Sequence, residues 1–265
     1  MVRIGVAQTE PRVGDLDSNL QSLGTALKEA DKSSVDVLVL PELANSGYAF
    51  DSKEEAAKCS ENIPSGEFSK ELLSWSRGNR LVVAGICEHQ NENLFNSAAV
   101  FCNGKHIVTY RKVHLFNKEK EWFNPGQSEP PVAVFGEYSY GIMICWDWIF
   151  PEMARILALK GAQVVLHPAN LVLDHCQKAM QTRALENGVF TATANRIGQE
   201  RELLFTGKSQ ITDNRGRVLL MMLEDESGVQ SVDINPREAD KKSLTPTNHL
   251  LKDRRPEIYH RLTSS

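Results

Sequence analysis

No run in this sequence is long and apolar enough to span a bilayer; the longest, such as residues 35–40, is interrupted by Asp36 and stopped by Pro41. The opening MVRIGVAQTE alternates like a strand and holds neither a charged-then-apolar leader nor a cleavage site. The expectation is a cytoplasmic protein with no membrane partner. An excess of positive charge is also missing. Lys and Arg number 30 against 34 Asp and Glu, for a net charge of −4, and they are scattered, so no nucleic-acid footprint exists.

Cysteine is sparse: five residues, an odd number without a Cys-x-x-Cys pair, which excludes a disulfide framework. The seven histidines show no His-Glu-x-x-His spacing, and adjacent His175 and Cys176 lack companions for a tetrahedral site. Neither a metal nor a cofactor is expected. Gly207-Lys208-Ser209 looks like the end of a phosphate-binding loop, but Glu202 stands where the upstream glycine belongs, so the segment reads as entry to a strand. Gly-x-Ser-x-Gly is absent, which argues against a serine hydrolase built on a nucleophile elbow.

What is present is an ordinary globular balance, 41% hydrophobic and 24% charged. The 265 residues fit a single α/β domain over 1–265, ending in a polar, basic tail from about residue 235 that docks on the surface or on a partner subunit. Residues 3–8 read as a strand. Ser18, with Gln21 in capping-box spacing, opens a helix whose Leu20, Leu23, Leu27 and Ala30 share a face. Residues 35–40 suit a strand buried on both sides, ended by Pro41. A helix over 67–77 precedes strands at 81–87 and 96–101, and Asn103-Gly104 signals a hairpin into 106–113. Residues 116–131 form a long loop rich in charge, aromatics and proline. Beyond it come a strand at 138–144, Cys145, and a helix with Pro151 in its first turn running to about Lys160. A strand at 163–167, a helix at 176–187 closed by Gly188, and strands at 189–195, 209–212, 218–223 and 229–234 complete the chain. Such alternation with hairpins implies a layered α/β protein with mixed sheets. Val37-Leu38-Val39-Leu40-Pro41 and Val164-Val165-Leu166-His167-Pro168, two apolar strands stopped by proline, hint at internal duplication.

Three residues at strand ends could carry chemistry. Cys145 sits at a strand-to-helix turn, where a following helix N-terminus would favour a thiolate; the competing reading is a small buried hydrophobe. Glu42 follows an apolar strand and a proline, close to the core, where burial would raise its pKa; it could equally be a cap or a rim salt bridge. Lys112 ends a strand and by itself is an ordinary exposed lysine. Together they make a workable acyl-transfer set, with a base, an oxyanion partner and a nucleophile.

The surroundings of these residues resemble the nitrilase superfamily, the carbon–nitrogen hydrolases. The resemblance rests on Leu40-Pro41-Glu42-Leu43, on Tyr110-Arg111-Lys112-Val113-His114-Leu115, and on Ile144-Cys145-Trp146-Asp147-Trp148 with Phe150-Pro151-Glu152, in the family's order. It extends from Val2 to about Asp233. It implies a four-layer αββα sandwich, Glu42 as general base and acid, Lys112 as oxyanion stabiliser and Cys145 as nucleophile. It also implies a second glutamate before Pro125-Gly126: Glu119 on spacing, with Glu121 the alternative. Trp146, Tyr48 and Asn170 are candidate substrate-binding residues, with Trp148, Phe123 and Arg183 around them. The implied substrate is a small amide or nitrile, and the implied assembly is a homodimer or higher homo-oligomer. Cys-Trp-Asp, and a chain stopping at Ser265, shift the balance from nitrilase toward amidase and leave an N-carbamoyl-amine substrate open. A glutaminase feeding a synthetase and a catalytically silent binding protein are the rival readings.

Overall fold

The computed structural model describes residues 1–264. Its first sheet collects β1 (Val2–Gln8), β2 (Val37–Val39), β3 (Leu81–Gln90), β4 (Asn93–Cys102) and β5 (Lys105–Arg111). The second collects β6 (Val132–Phe135), β7 (Tyr138–Ile142), β8 (Val164–Ala169) and β9 (Phe190–Asn195). A small hairpin, β10 (Gln199–Glu200) and β11 (Leu203–Leu204), precedes β12 (Gln210–Thr212) and β13 (Val218–Met221) of the second sheet, and β14 (Gly228–Ile234) returns to the first. The helices are α1 (Leu16–Lys32), α2 (Lys53–Lys58), α3 (Glu67–Trp75), α4 (Glu119–Trp122), α5 (Pro151–Leu159) and α6 (His175–Asn187).

Period-two alternation in β2 explains how the layers meet. Val37 and Val39 pack with Ile4, Val83, Ile142 and Leu166 between the sheets, whereas Leu38 and Leu40 face Leu23, Leu27, Phe68 and Leu72 of α1 and α3. Each buried side chain of this kind contributes about 1.5–3 kcal/mol, which fixes the strand's register against a one-residue slip. On the far side, Met153 and Leu157 of α5 and Met180 of α6 cover the second sheet. Two mixed sheets flanked by helices are thus an α/β architecture of the expected αββα kind.

The strand orders are β14-β1-β2-β3-β4-β5 and β13-β12-β9-β8-β7-β6. Read from β14 and from β6, both sheets run antiparallel, parallel, parallel, antiparallel, antiparallel. The two proline-ended apolar runs, in β2 and β8, therefore occupy the same place in the two sheets. One detail departs from the sequence reading: Pro168 lies within β8 rather than ending it. Leu166 accepts from Met143 N–H on the β7 side, and Pro168 faces the same way two residues on, where β7 has already stopped at Ile142, so no ladder donor is lost.

Other departures have local causes. The first helix starts at Leu16, because the Asp15 side chain, not Ser18, caps it by accepting from Ser18 N–H. Strand β6 pairs with β7 as a hairpin where no strand was expected, and α2 and the β10–β11 hairpin are likewise additions. The 116–131 loop contains the single turn α4. After Cys145 comes a 3₁₀ segment, Cys145–Ile149, and the α-helix begins only at Pro151. The tail beyond 235 docks partly through Lys242, which donates to the carbonyls of Asn187 and Gly188 at the end of α6. Among the described residues, no helix is long and apolar enough to cross a membrane.

Candidate active site

Glu42 leaves the end of β2 across the backbone of β3. Pro41 O accepts from Gly85 N–H, and Gly85 O accepts from Ala44 N–H. A Cβ on Gly85 would stand 2.2 Å from Glu42 Cα, so only glycine admits this crossing. The Glu42 side chain is fully buried. Its Oε1 accepts from Asn96 Nδ2 at 2.8 Å and from Lys112 Nζ at 2.7 Å, while Oε2 has no partner.

Lys112 follows β5 and is tied on both sides: its N–H donates to Asn96 O and its carbonyl accepts from Gly126 N–H. Gly126 is again a close approach, since a Cβ there would meet Arg111 O at 2.0 Å. The Lys112 ammonium is fully buried and reaches both oxygens of Glu119 at 2.8 Å as well as Glu42. Glu119, at the start of α4, also accepts from Tyr48 OH at 2.7 Å and from Phe116 N–H at 3.1 Å. Glu121, the alternative, is exposed.

Cys145 is buried and adopts a left-handed φ of 35°, a conformation that a non-glycine residue holds only when its surroundings fix it. Asp147 does much of that fixing. Its Oδ2 accepts from Ile144 N–H at 3.0 Å and from Tyr110 OH at 2.9 Å, and its Oδ1 lies 2.8 Å from His114 Nδ1. His114 stacks on Phe150 at 3.8 Å. The Cys145 Sγ is 3.8 Å from Asn170 O.

The electrostatics follow from two buried carboxylates around one buried ammonium. Burial raises the Glu42 pKa, Lys112 pulls it down and Glu119 pushes it up, with a net rise. Burial opposes the Lys112 charge, but Glu119 and Glu42 outweigh it and hold the ammonium pKa above its ordinary value. The Cys145 thiol is raised well above the ordinary range by burial and by Glu42 and Glu119, against the opposing pull of Lys112. This runs against the expectation of a thiolate favoured by a helix start: Cys145 opens a 3₁₀ segment, the α-helix begins only at Pro151, and burial outweighs the pull of Lys112.

The structure therefore brings Glu42, Lys112, Glu119 and Tyr48 into one hydrogen-bonded group, with Cys145 near enough to feel their charges. Trp146 and Asn170 line a recess at Cys145 with Phe116, Trp148, Leu171, Val172 and Leu173, which leaves a free volume of about 20 Å³, room for one water. Phe123 instead packs beside Phe50, and Arg183 donates to Trp148 O. Wider grooves, up to about 830 Å³, lie elsewhere, one of them beside the β10–β11 hairpin, and are lined by none of Glu42, Lys112 and Glu119. Asn96, His167 and Glu200 escaped the sequence reading. For Asn96 a signal existed: an amide in an otherwise apolar strand needs a partner when buried.

Comparison with known proteins adds an independent line. A family model described as carbon-nitrogen hydrolase matches residues 3–241. The chain is similar to a nitrilase of Pyrococcus abyssi (strain GE5 / Orsay), 42% identical over 98% of this chain and 100% of that protein. It is also similar to an omega-amidase of Danio rerio, 32% identical over 91% and 90% of the two chains. Among solved structures, a double mutant of the amidase from Nesterenkonia sp. AN1 in complex with acrylamide matches with a TM-score of 0.84 and 28% identity, covering 98% of this chain and 97% of that one. Another mutant of the same amidase, with a TM-score of 0.81, shows covalent addition of the acetamide moiety of fluoroacetamide at its active-site cysteine.

Proposed function

The chain belongs to the carbon–nitrogen hydrolase family, and from that premise we propose that it hydrolyses a small aliphatic amide to ammonia and a carboxylic acid through an acyl-enzyme on Cys145. The observation that carries this is the buried group itself: Lys112 Nζ is bonded to both Glu42 and Glu119, Glu42 Oε2 is left without a partner, and the charges of both carboxylates act on the Cys145 thiol.

In this reading Glu42 Oε2 takes the thiol proton as Sγ adds to the carbonyl carbon. The oxygen's new charge is met by Lys112 Nζ and by the Trp146 backbone N–H. Protonated Glu42 then gives its proton to the departing nitrogen, ammonia leaves and a thioester remains. Glu42 next deprotonates a water that adds to the thioester. Collapse releases the acid, and the sulfur regains its proton from Glu42. Glu119 keeps Lys112 charged and in place, and Tyr48 keeps Glu119 in place. Likeness to the Pyrococcus abyssi nitrilase favours a nitrile as second substrate class; it would form a thioimidate on the same sulfur, protonated at nitrogen by Glu42. We further read residues 1–265 as one cytoplasmic catalytic domain assembled as a homodimer or larger. Exposed Ile149, Leu159 and Leu185 on and beside α5 and α6 support such contacts.

The test is ammonia release from a panel of short amides, N-carbamoyl amines and nitriles, with intact-mass detection of an acyl adduct. Cys145→Ala should abolish both. Turnover that survives in Cys145→Ala would refute the acyl-enzyme.

A further inference from the structure

We propose that the recess beside Cys145 selects an uncharged, short acyl group carrying a second hydrogen-bonding function, and that the Asn170 side chain receives that function. The inference rests on the amide-hydrolase reading and specifies its substrate.

Asn170 is 4% exposed, and neither its Oδ1 nor its Nδ2 has a partner, although a buried amide normally satisfies both. It abuts the reacting sulfur, its own carbonyl lying 3.8 Å from Cys145 Sγ. Nor is it free to drift toward another partner. Asn170 follows Ala169, the last residue of β8; Leu171 N–H donates to Asn195 Oδ1 at 2.8 Å, and Leu171 O accepts from Thr206 N–H. Asn195 is itself held by Thr206 Oγ1 and Gly207 O. Asn170, a wall residue of the recess whose neighbour Leu171 is tied down, thus carries an unpaired donor and an unpaired acceptor, the complement of another carboxamide.

The rest of the wall decides the charge of the ligand. Phe116, Trp146, Trp148, Leu171 and Val172 are apolar, and the nearby cation, Lys112, is already bonded to Glu42 and Glu119. A substrate carboxylate would enter without a counter-ion, next to two buried carboxylates, at a high desolvation cost. Monoamides of dicarboxylic acids are therefore disfavoured. With room for one water as it stands, the recess takes a short acyl group with the least displacement of its walls.

The experiment compares kcat/KM, by ammonia release from the full chain, for malonamide, its apolar isostere 3-methylbutanamide, and its monoacid malonamate. Malonamide should exceed 3-methylbutanamide by about tenfold or more, beyond the statistical factor of about two for its two amides, and malonamate by more. In Asn170→Leu the malonamide to 3-methylbutanamide ratio should collapse by about tenfold, because the polar end loses its partner. A merely structural role for Asn170 would lower both rates together and leave the ratio intact, which overturns the inference. So would malonamate turning over as well as malonamide. Activity on simple amides with a flat ratio defeats this inference alone; no turnover and no Cys145 adduct with any amide defeats the hydrolase reading as well.

Discussion

The carbonyl oxygen of Cys145 accepts a 3.0 Å hydrogen bond from Nε2 of His167. A carbonyl only accepts, so Nε2 carries the proton and Nδ1 accepts from the Thr193 hydroxyl at 3.1 Å. The fully buried imidazole is neutral: burial lowers its pKa to about 4, and the bond to the Cys145 carbonyl opposes that only in part. Unfolded, the same group would titrate near 6.5, so between these values the unfolded chain binds the extra proton. Stability from this group is complete above about pH 6.5 and is lost as pH falls toward about 4. Urea midpoints measured between pH 7 and pH 4 should decline accordingly, and more weakly in His167→Gln. Parallel pH profiles for the two proteins would exclude His167 as the source.

Glu119 and Glu121 stand two residues apart, one buried against Lys112 and one in solvent. Glu119→Gln removes the charge that helps keep Lys112 protonated and replaces one of the two accepting oxygens with an NH₂. A loss of about a hundredfold in kcat is expected, on the scale of removing an oxyanion partner. Glu121→Gln should leave kcat within about twofold and stability within about 0.5 kcal/mol. Steady-state kinetics of the two variants would decide the pair, and the reverse ranking would reassign the second glutamate.

Much of this arrangement was legible in the sequence because the same residues satisfy several constraints at once. Residues 37–40 can be apolar throughout only if covered on both faces, and β2 is. Asn103-Gly104 takes positive φ at both positions, as the hairpin between β4 and β5 requires. Motif order led to Glu42, Lys112 and Cys145, and the spacing to Pro125-Gly126 favoured Glu119. What stayed hidden depends on contacts between distant segments. No local pattern says that His167 will bond a carbonyl 22 residues away, or that the thiol will end near two buried carboxylates.

Asp147 shows how one buried carboxylate can hold a strained turn. It is fully buried and serves Ile144 N–H, Tyr110 OH and His114 together. Asp147→Ala would orphan all three and cost about 3 kcal/mol, with a fall in kcat as the φ of Cys145 relaxes. Tyr110→Phe removes one bond and should cost about 1 kcal/mol. Denaturant unfolding alongside ammonia release would test both. An Asp147→Ala protein with wild-type kcat would mean that the turn holds itself.

Glu200, on β10 of the second half of the chain, reaches across to the loop that follows Glu42. Its Oε1 accepts from Val13 N–H at 3.0 Å, and its Oε2 from Tyr48 N–H and Ala49 N–H at 2.8 Å each. Arg196 donates to the same Oε2 at 3.2 Å while its guanidinium lies 4.0 Å from the Phe205 ring centroid and donates to Pro11 O. The carboxylate thus fixes the backbone of Tyr48, whose hydroxyl in turn fixes Glu119 and through it Lys112. Glu200→Ala removes the acceptors of the Val13, Tyr48 and Ala49 N–H groups together, so Tyr48 loses its anchor. The expected result is a fall in kcat of about tenfold with KM little changed, because in the proposed mechanism the displaced group acts on the transition state rather than on the bound substrate. Tyr48→Phe should also lower kcat. If Glu200 acts through Tyr48, the double variant will lose less than the sum of the two single losses in free energy; if it acts on stability alone, the losses will add and unfolding midpoints rather than kcat will move.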